Sequence, residues 1–278
     1  MTRLLLASAS PARRATLVAA GIDPLVAVSS VDEPAVLAAA RDRYDVLEPA
    51  DAVLVLAQAK AQDVAENLPD EVDGLVLDDL DLVLVGCDSM LELNGEILGK
   101  PADADDAIAR WRVMRGRTGV LHTGHWVMDL REPAHVTGTA DREGGAGSGG
   151  ATSTTSTTSG AGTTSAAGAV GVASAGGPDL DHGGIGHGGI GLGARRGAVL
   201  GATSSTRVTF ADLSDDEIAA YVGTGEPLHV AGAFTVDGLG GPFVERIEGD
   251  HHGVVGISLP LLRELLAEID VRMHDLWR

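Results

Sequence analysis

The chain has 278 residues, which is enough for one large domain or two small ones with an ample core. It carries 40 acidic and 20 basic residues, and the resulting net charge of −20 argues against nucleic acid and anionic membrane surfaces as partners, because both are negatively charged. The single cysteine, Cys87, excludes an internal disulfide and fits a reducing cytoplasm, and no apolar run approaches the ~18 residues of a membrane span.

Residues 3–7 predict a first strand, and the serine-rich segment after it predicts the start of a helix. Ser10 is a good N-cap, Pro11 a good first helical residue, and Gly21 the expected stop. A strand, a turn and a helix start aim backbone N–H groups and the helix dipole at one point, which suits a phosphate. Arg13 in the first turn indicates an anion there, or else it is a solvent-facing residue of a capped amphipathic helix.

A second strand is predicted over residues 25–30, followed by the acidic residue Glu33. Pro34 keeps Glu33 extended, so its carboxylate should project from a strand end rather than from a helix face. It is then either a hard oxygen ligand for Mg²⁺ or part of a solvated turn. Residues 51–68 predict a helix with Lys60 beside its apolar face.

After an acidic loop at residues 70–81, the apolar run 82–85 predicts a strand covered on both faces. Gly86 and Cys87 then predict a tight turn. Asp88 follows at the carboxyl end of that strand, where open α/β sheets bind their ligands. A turn former that ends the strand is the alternative for Asp88.

A β-hairpin is predicted directly after Asp88. Residues 90–93 and 96–98 pair around an Asn-Gly turn signal, and the returning strand brings Lys100 back towards Asp88. Lys100 and Lys60 are the two lysines among the 20 basic residues. Because a lysine is a flexible point charge that can follow a phosphate, both are candidate phosphate ligands, with ordinary surface lysines as the alternative.

The composition changes abruptly after a predicted helix over residues 102–115 and a strand over residues 120–130. Residues 144–177 are Gly, Ala, Ser and Thr apart from two valines, so they cannot bury enough apolar surface to offset the entropy of ordering. We therefore predict a disordered low-complexity insertion over residues 132–202. A formal GxGxxG pattern near its end is rejected as a dinucleotide site, because no strand precedes it.

Residues 203–278 again show regular patterns. A Ser-Asp-Asp-Glu capping box predicts a helix start at Ser214. Asp237 lies in a glycine-rich turn and is by default a turn former. The predicted elements are strands over residues 206–210, 233–236 and 243–247 and helices over residues 214–223 and 259–269.

Several segments, in order, resemble the Maf or septum-formation family of nucleoside triphosphate pyrophosphatases. The matching segments are LASASPARR, VDE, LAQAKA, GCDS, GEILGKP, TRVTF, EIAAYV, GEPLHVAGAF and VVGISLPLL. The resemblance implies an α/β fold: a two-lobed, ITPase-like mixed sheet with flanking helices and an active-site cleft between the lobes. Residues 1–131 and 203–278 would then be two parts of one domain.

The resemblance also implies hydrolysis of a nucleoside triphosphate to the monophosphate and pyrophosphate. Asp88 falls on the family's proton acceptor, and Glu33 and Asp88 would hold Mg²⁺ or Mn²⁺. These groups fit the chemistry, because the α-phosphorus resists attack until its oxygens are neutralised. The positions that fall on the family's phosphate-binding residues are Ser8, Ser10, Arg13, Lys60 and Lys100.

Three positions depart from the common family pattern, and all three are associated with base selection. Ala12 replaces the first arginine of the loop, Ser89 replaces a threonine, and Asp237 replaces a glutamine. A carboxylate at the last position could accept hydrogen bonds from the N–H edge of guanine. The subgroup of the family that acts on 7-methylguanosine triphosphate often carries an acid at this position. The resemblance therefore argues against thymidine and uridine triphosphates as substrates and leaves modified or non-standard nucleotides open.

Two other functions stay open from the sequence. A noncatalytic nucleotide-binding regulator of cell division would keep the cations but would not need Asp88. A nucleotidyltransferase would need a second substrate to release pyrophosphate. In the favoured interpretation the protein is a cytoplasmic homodimer whose partner is its nucleoside triphosphate substrate, with no nucleic acid or membrane partner.

Overall fold

A seven-stranded mixed sheet organises the protein in a computed structural model that describes residues 2–131 and 197–278. The elements before residue 132 are β1 (Thr2–Ala7), α1 (Pro11–Ala19), β2 (Leu25–Val26), α2 (Glu33–Arg43), α3 (Pro49–Glu66), β3 (Glu71–Val72), β4 (Leu75–Val76), β5 (Asp81–Leu93), β6 (Glu96–Leu98), α4 (Ala104–Met114) and β7 (Thr118–Asp129). Those after residue 196 are β8 (Val199–Phe210), α5 (Asp215–Gly223), β9 (Val244–Glu248), α6 (His251–Val255) and α7 (Leu259–Ala267).

The sheet order is β2-β1-β5-β7-β8-β9, with β6 paired to β5 beside this path. Strands β2, β1 and β5 are parallel, whereas β5, β7, β8 and β9 pair antiparallel. The predicted α/β fold with a mixed sheet and flanking helices is confirmed. Strands β7 and β8 pair with each other although the predicted insertion separates them in sequence.

The insertion was predicted to extend to residue 202, and this boundary is wrong. Strand β8 begins at Val199, so residues 199–202 are paired to β7. The sequence analysis missed this part of the strand because glycine and small side chains do not give the pattern of bulky residues that is typical of strands. Small side chains occur where a strand packs closely on its neighbours. The rest of the predicted insertion, residues 132–196, lies outside the described residues.

Strand β5 runs without a break through Gly86, so the predicted tight turn there is wrong. A Cβ atom at Gly86 would overlap the carbonyl oxygen of Ala57 in α3. The glycine therefore allows a helix to approach the strand and does not turn the chain. As a result Asp88 lies in the middle of a 13-residue strand rather than at its end. The hairpin after it is confirmed, with Asn94 at φ 54° and Gly95 at φ 81°.

Glu33 begins helix α2, so the prediction that it extends from a strand end is wrong. Asp32 caps this helix by accepting a hydrogen bond from the backbone N–H of Ala35 at 3.1 Å. Pro34 is tolerated because a residue in the first turn has no intrahelical N–H bond to lose. The predicted N-cap at Ser10 is confirmed, since its hydroxyl accepts from the N–H of Arg13 at 3.4 Å.

Two lobes with different cores share the long strands. The first core is aliphatic and packs α1, α3 and α7 on both faces of β1 and the first half of β5. The second core surrounds Trp111, whose ring lies 5.6 Å from the rings of both Phe210 and Tyr221 in edge-to-face contact. Its indole N–H donates to the carbonyl oxygen of Ala233 at 2.7 Å, which fixes the segment after α5. A strand was predicted over residues 233–236, but Ala233 ends a short 3₁₀ turn and residues 234–236 form neither strand nor helix.

Within the described residues, every helix is too short or too polar to cross a bilayer.

We expect Gly124→Ala to destabilise the fold, because a Cβ at this position would overlap the carbonyl oxygen of Val53 in α3. Urea denaturation should show a loss of about 1–3 kcal/mol in the free energy of unfolding. Gly223→Ala is the control, since nothing lies within 4 Å of a Cβ there. Equal stability of the two variants would contradict the close packing of α3 on the sheet.

Candidate active site

A cleft of about 490 Å³ opens where the two lobes meet. One wall consists of the loop between β1 and α1 together with side chains of α2, α3 and β5. The facing wall comes from residues 229–237 and 254–256 and from the end of the β5–β6 hairpin. All of the predicted site residues lie on this lining, namely Ser8, Ser10, Ala12, Arg13, Glu33, Lys60, Asp88, Ser89, Lys100 and Asp237.

The centre of the first wall is an ion cluster in which one ammonium bridges two carboxylates. Lys60 Nζ lies 2.5 Å from Asp88 Oδ1 and 2.7 Å from Glu33 Oε1. Helix α3 supplies the lysine, strand β5 the aspartate and the first turn of α2 the glutamate. Because Gly86 lets α3 press against β5, the lysine reaches the strand that carries Asp88.

The two carboxylates respond to the cluster in opposite ways. Burial raises the pKa of Asp88, and the positive charges of Lys60 and Arg13 offset this effect only in part. Burial opposes the ionisation of Glu33 too, but the hydrogen bond and charge of Lys60, with Lys100 and Arg13, hold its pKa below the ordinary value. The site therefore contains one buried carboxylate with a raised pKa, that of Asp88, beside a second carboxylate that stays ionised, that of Glu33.

Arg13 is buried and fully engaged by the protein. Its Nε donates to the carbonyl oxygen of Gly256 at 2.7 Å, and its Nη1 donates to Ser8 Oγ and to the carbonyl oxygen of Cys87, both at 2.9 Å. Ser8 Oγ in turn accepts from the N–H of Ser10 at 3.2 Å. The arginine thus connects the serine loop, β5 and the segment after α6, and it brings its charge to the cleft through this frame.

Ser89 of β5 also contacts Arg13. Its hydroxyl accepts from Arg13 Nη2 at 3.1 Å and lies 2.8 Å from the hydroxyl of Thr123. Thr123 donates to the carbonyl oxygen of Gly253 at 2.9 Å, so the Ser89 hydroxyl donates to Thr123. Base selection by Ser89 stays a prediction, and the observed contacts of its hydroxyl are with Arg13 and Thr123.

The facing wall is more apolar. Lys100 is exposed at the end of the hairpin, which is tied to this wall by a hydrogen bond from the N–H of Gly232 to the carbonyl oxygen of Gly99 at 3.1 Å. Asp237 is exposed, and within the described residues its side chain has no hydrogen-bond or ion-pair partner. The apolar side chains that this wall places on the lining include Val230, Phe234, Val236, Val254 and Val255.

The sequence analysis assigned no role to several residues of this site. His229 and Thr235 line the cleft: His229 belongs to the GEPLHVAGAF segment that was used only for the family resemblance, and Thr235 to the predicted strand over residues 233–236. His125 is fully buried beside the Arg13 frame, and its Nε2 accepts from the N–H of Ser258 at 2.8 Å. Burial lowers the pKa of His125 to about 4, so this ring is neutral at physiological pH. The sequence around His125 alternates polar residues along a strand, and this pattern did not indicate the hydrogen bond with Ser258.

Glu33 and Asp88 fit a divalent cation in part. Within residues 2–131 and 197–278, no group of three or more His, Cys, Asp or Glu side chains is arranged to hold a metal. Two carboxylates are, however, the usual protein contribution to a Mg²⁺ site that is completed by water and substrate phosphates. Both carboxylates contact the ammonium of Lys60. A divalent cation could therefore bind them only when this ammonium moves away to pair with another anion, such as a phosphate.

Comparison with known proteins points to one family. The model of the family described as Maf-like protein matches residues 3–145 and 187–269. A nucleoside triphosphate pyrophosphatase of Salinispora tropica is 46% identical over 99% of this chain and 87% of its own length. A protein of the same name from Streptomyces coelicolor is 41% identical over 99% of this chain and 94% of its own length.

We expect Lys60→Met to destabilise the protein in a pH-dependent way, with a chelator present. Without the ammonium, buried Asp88 keeps an unpaired charge, which should cost about 3 kcal/mol at pH 8. The folded-state pKa of Asp88, already raised, rises further. The penalty is therefore present above that pKa and shrinks as the pH falls through it, because the folded state takes up the proton more readily than the unfolded state.

Urea denaturation at pH 5 and pH 8 measures this difference. The same substitution made in an Asp88→Asn background should cost less and should depend little on pH. An equal loss at both pH values in the Asp88 protein would show that the ion cluster does not control the charge of Asp88.

Proposed function

The chain belongs to the Maf family, and from this premise we propose that it hydrolyses nucleoside triphosphates to the monophosphate and pyrophosphate. The observation that carries the proposal is the ammonium of Lys60 held between Glu33 and buried Asp88 inside a cleft. A protein of net charge −20 repels a triphosphate unless cations are concentrated where it binds. Lys60, Lys100 and Arg13 supply that concentration.

The phosphate chain would bind along the first wall. Helix α1 points its N-terminus into the cleft, and the backbone N–H groups and the dipole at that end favour an anion. Ser8 and Ser10 add hydroxyl groups beside it. Lys60 and Lys100 are flexible enough to follow the phosphate oxygens, whereas Arg13 is held by its frame and contributes a fixed positive charge.

Asp88 would take the proton of the attacking water. Its pKa is raised by burial, which makes its carboxylate a stronger base than an exposed aspartate. The water oxygen bonds to the α-phosphorus, its proton passes to Asp88, and the bond from the α-phosphorus to the bridging oxygen breaks. Pyrophosphate leaves with its charge neutralised by the lysines. A divalent cation held by Glu33 and Asp88 would polarise the phosphate oxygens when bound.

The facing wall would receive the base. Its apolar side chains suit a flat ring, and Asp237 offers an acceptor for ring N–H donors. We propose a guanine-type base such as that of 7-methylguanosine rather than thymine or uracil, with Ala12 and Ser89 as the other selecting positions. We also propose a homodimer, which analytical ultracentrifugation checks. The single buried cysteine, Cys87, fits the proposed cytoplasmic location.

Asp88→Asn should abolish most of the turnover. Purified protein with Mg²⁺ and a panel of nucleoside triphosphates, without any acceptor, should release monophosphate and pyrophosphate, and the variant should lower kcat by ~10²–10⁴-fold. Asp215→Asn is the control, because this exposed carboxylate pairs with Arg112 and Arg115 away from the cleft. Normal turnover by the Asp88 variant would refute its role, and release of pyrophosphate only with an acceptor would indicate a nucleotidyltransferase.

The position of attack and the need for a cation can be read from one reaction. In isotopically labelled water, the label should appear in the monophosphate, because the water oxygen bonds to the α-phosphorus. A chelator should stop turnover, and added Mg²⁺ or Mn²⁺ should restore it. Label found in the pyrophosphate by mass spectrometry would place the attack on the β-phosphorus and contradict the proposed chemistry.

A further inference from the structure

Glu226 is a partly buried residue with several hydrogen bonds, and none of the steps above uses it. It lies at the start of a 3₁₀ turn after α5, and its carboxylate is surrounded by donors from the loop of residues 235–240. Oε1 accepts from the hydroxyl of Thr235 at 2.5 Å and from the N–H of Gly240 at 3.1 Å, and Oε2 accepts from the N–H of Leu239 at 3.0 Å. The hydroxyl of Tyr221 also donates to Oε1 at 3.3 Å. One side chain therefore holds both ends of the loop.

The loop is shaped closely around this carboxylate and around the hydroxyl of Tyr221, which accepts from the N–H of Thr235 at 3.1 Å. A Cβ atom at Gly238 would lie 2.8 Å from both oxygens of Glu226, so the backbone passes directly over the carboxylate. A Cβ at Gly240 would overlap the hydroxyl of Tyr221. Glycine at these two positions lets the chain wrap around the charged group. The loop is thus built on Glu226 and not merely touched by it.

The carboxylate of Glu226 is ionised in the folded protein. Burial opposes its ionisation, but the hydrogen bonds from Thr235 and from the N–H groups of Leu239 and Gly240 hold the pKa of Glu226 below its ordinary value. Hydrogen bonds to a charged acceptor are stronger than neutral ones, so the loop is held firmly. A neutral side chain of the same shape would lose that advantage.

The other face of this loop lines the cleft. Thr235, Val236 and Asp237 are on the lining, next to the apolar side chains of the facing wall. Asp237 is exposed and has no partner in the described residues, so its direction is set by the backbone that carries it. That backbone is in turn set by Glu226. The described contacts of Glu226 do not include any residue of the Lys60 ion cluster.

We propose that Glu226 is a positioning residue for base selection: it holds residues 235–240 so that Asp237 and the neighbouring peptide groups meet the edge of the nucleobase. The inference rests on the proposed function for the identity of the ligand as a nucleotide. It concerns recognition of the base, whereas the phosphate groups are proposed to react at the opposite wall, which contains Lys60. Glu226 acts through the loop and does not touch the substrate.

The test uses Glu226→Gln, which keeps the length of the side chain but replaces one acceptor oxygen by an amide group that cannot accept. At least one of the donors from Leu239, Gly240 or Thr235 then loses its partner, and the loop loosens. Dissociation constants are measured by calorimetry in an Asp88→Asn background. The ligands are adenosine, guanosine, cytidine, uridine and 7-methylguanosine triphosphates and inorganic tripolyphosphate.

We expect the preferred nucleotide to bind about tenfold more weakly to Glu226→Gln, which corresponds to ~1.4 kcal/mol. Tripolyphosphate, which has no base, should change by less than about twofold, because the phosphate wall does not share contacts with the loop. The ratio between the tightest and the weakest nucleotide should fall accordingly. In the Asp88 protein, KM for the preferred nucleotide should rise while kcat changes little.

Glu217→Gln is the matched control, since its carboxylate also accepts hydrogen bonds but caps α5 at Ser214, away from the cleft. A second pair of variants covers the case in which Glu226→Gln fails to fold. Thr235→Val removes the hydroxyl that donates to Glu226 and should lower selectivity in the same way. Thr235→Ser keeps the hydroxyl and should restore it.

Equal weakening of all nucleotides and tripolyphosphate would overturn the inference, because a general structural defect acts that way. Unchanged selectivity in both Glu226→Gln and Thr235→Val, or a native protein that shows no base selectivity, would overturn it as well. The proposed function fails separately. If the native protein binds nucleotides selectively but releases no pyrophosphate, hydrolysis is refuted while the role of Glu226 stands.

Discussion

The site depends on one constraint: the buried carboxylate of Asp88 must be neutralised, and Lys60 is the group that does so. An unpaired charge in the interior costs several kcal/mol, so the ion pair fixes how α3 lies on β5. Gly86 and Gly124 make that placement possible, because larger side chains would push the helix away from the sheet. Glu33 joins the same ammonium and thereby brings the start of α2 to the cleft. Three elements are thus positioned by a single cation.

The same cluster explains how an acidic protein can receive a polyanion. The ammonium of Lys60 is shared by two carboxylates, and a phosphate would offer it a third anionic partner. Arg13 behaves differently, because the protein holds its guanidinium through Ser8, Cys87 and Gly256. An ammonium that can exchange anionic partners, beside a guanidinium held in place, suits a reaction in which the phosphate chain changes its bonding. In our proposal, the opposite wall, whose loop is held by Glu226, recognises the base.

Local signals in the sequence predicted a good part of this arrangement. The Asn-Gly pair gave the hairpin that places Lys100, and Ser10 gave the helix start that faces the cleft. The candidate residues do line one cleft, although their chemical roles stay predictions. What failed depends on tertiary contacts: Gly86 looks like a turn residue until a helix is packed on it. Glu226 could not be found, because its donors come from a loop whose path only the folded chain reveals.

The most direct test is a crystal structure with a nucleoside triphosphate analogue whose α- and β-phosphates are joined by an imido bridge. The account predicts that the phosphate chain contacts Lys60, Lys100 and the N-terminus of α1, with the α-phosphate next to Asp88 and the base against residues 235–237. An analogue bound outside the cleft, or one with its α-phosphate beyond the reach of Asp88, would contradict it.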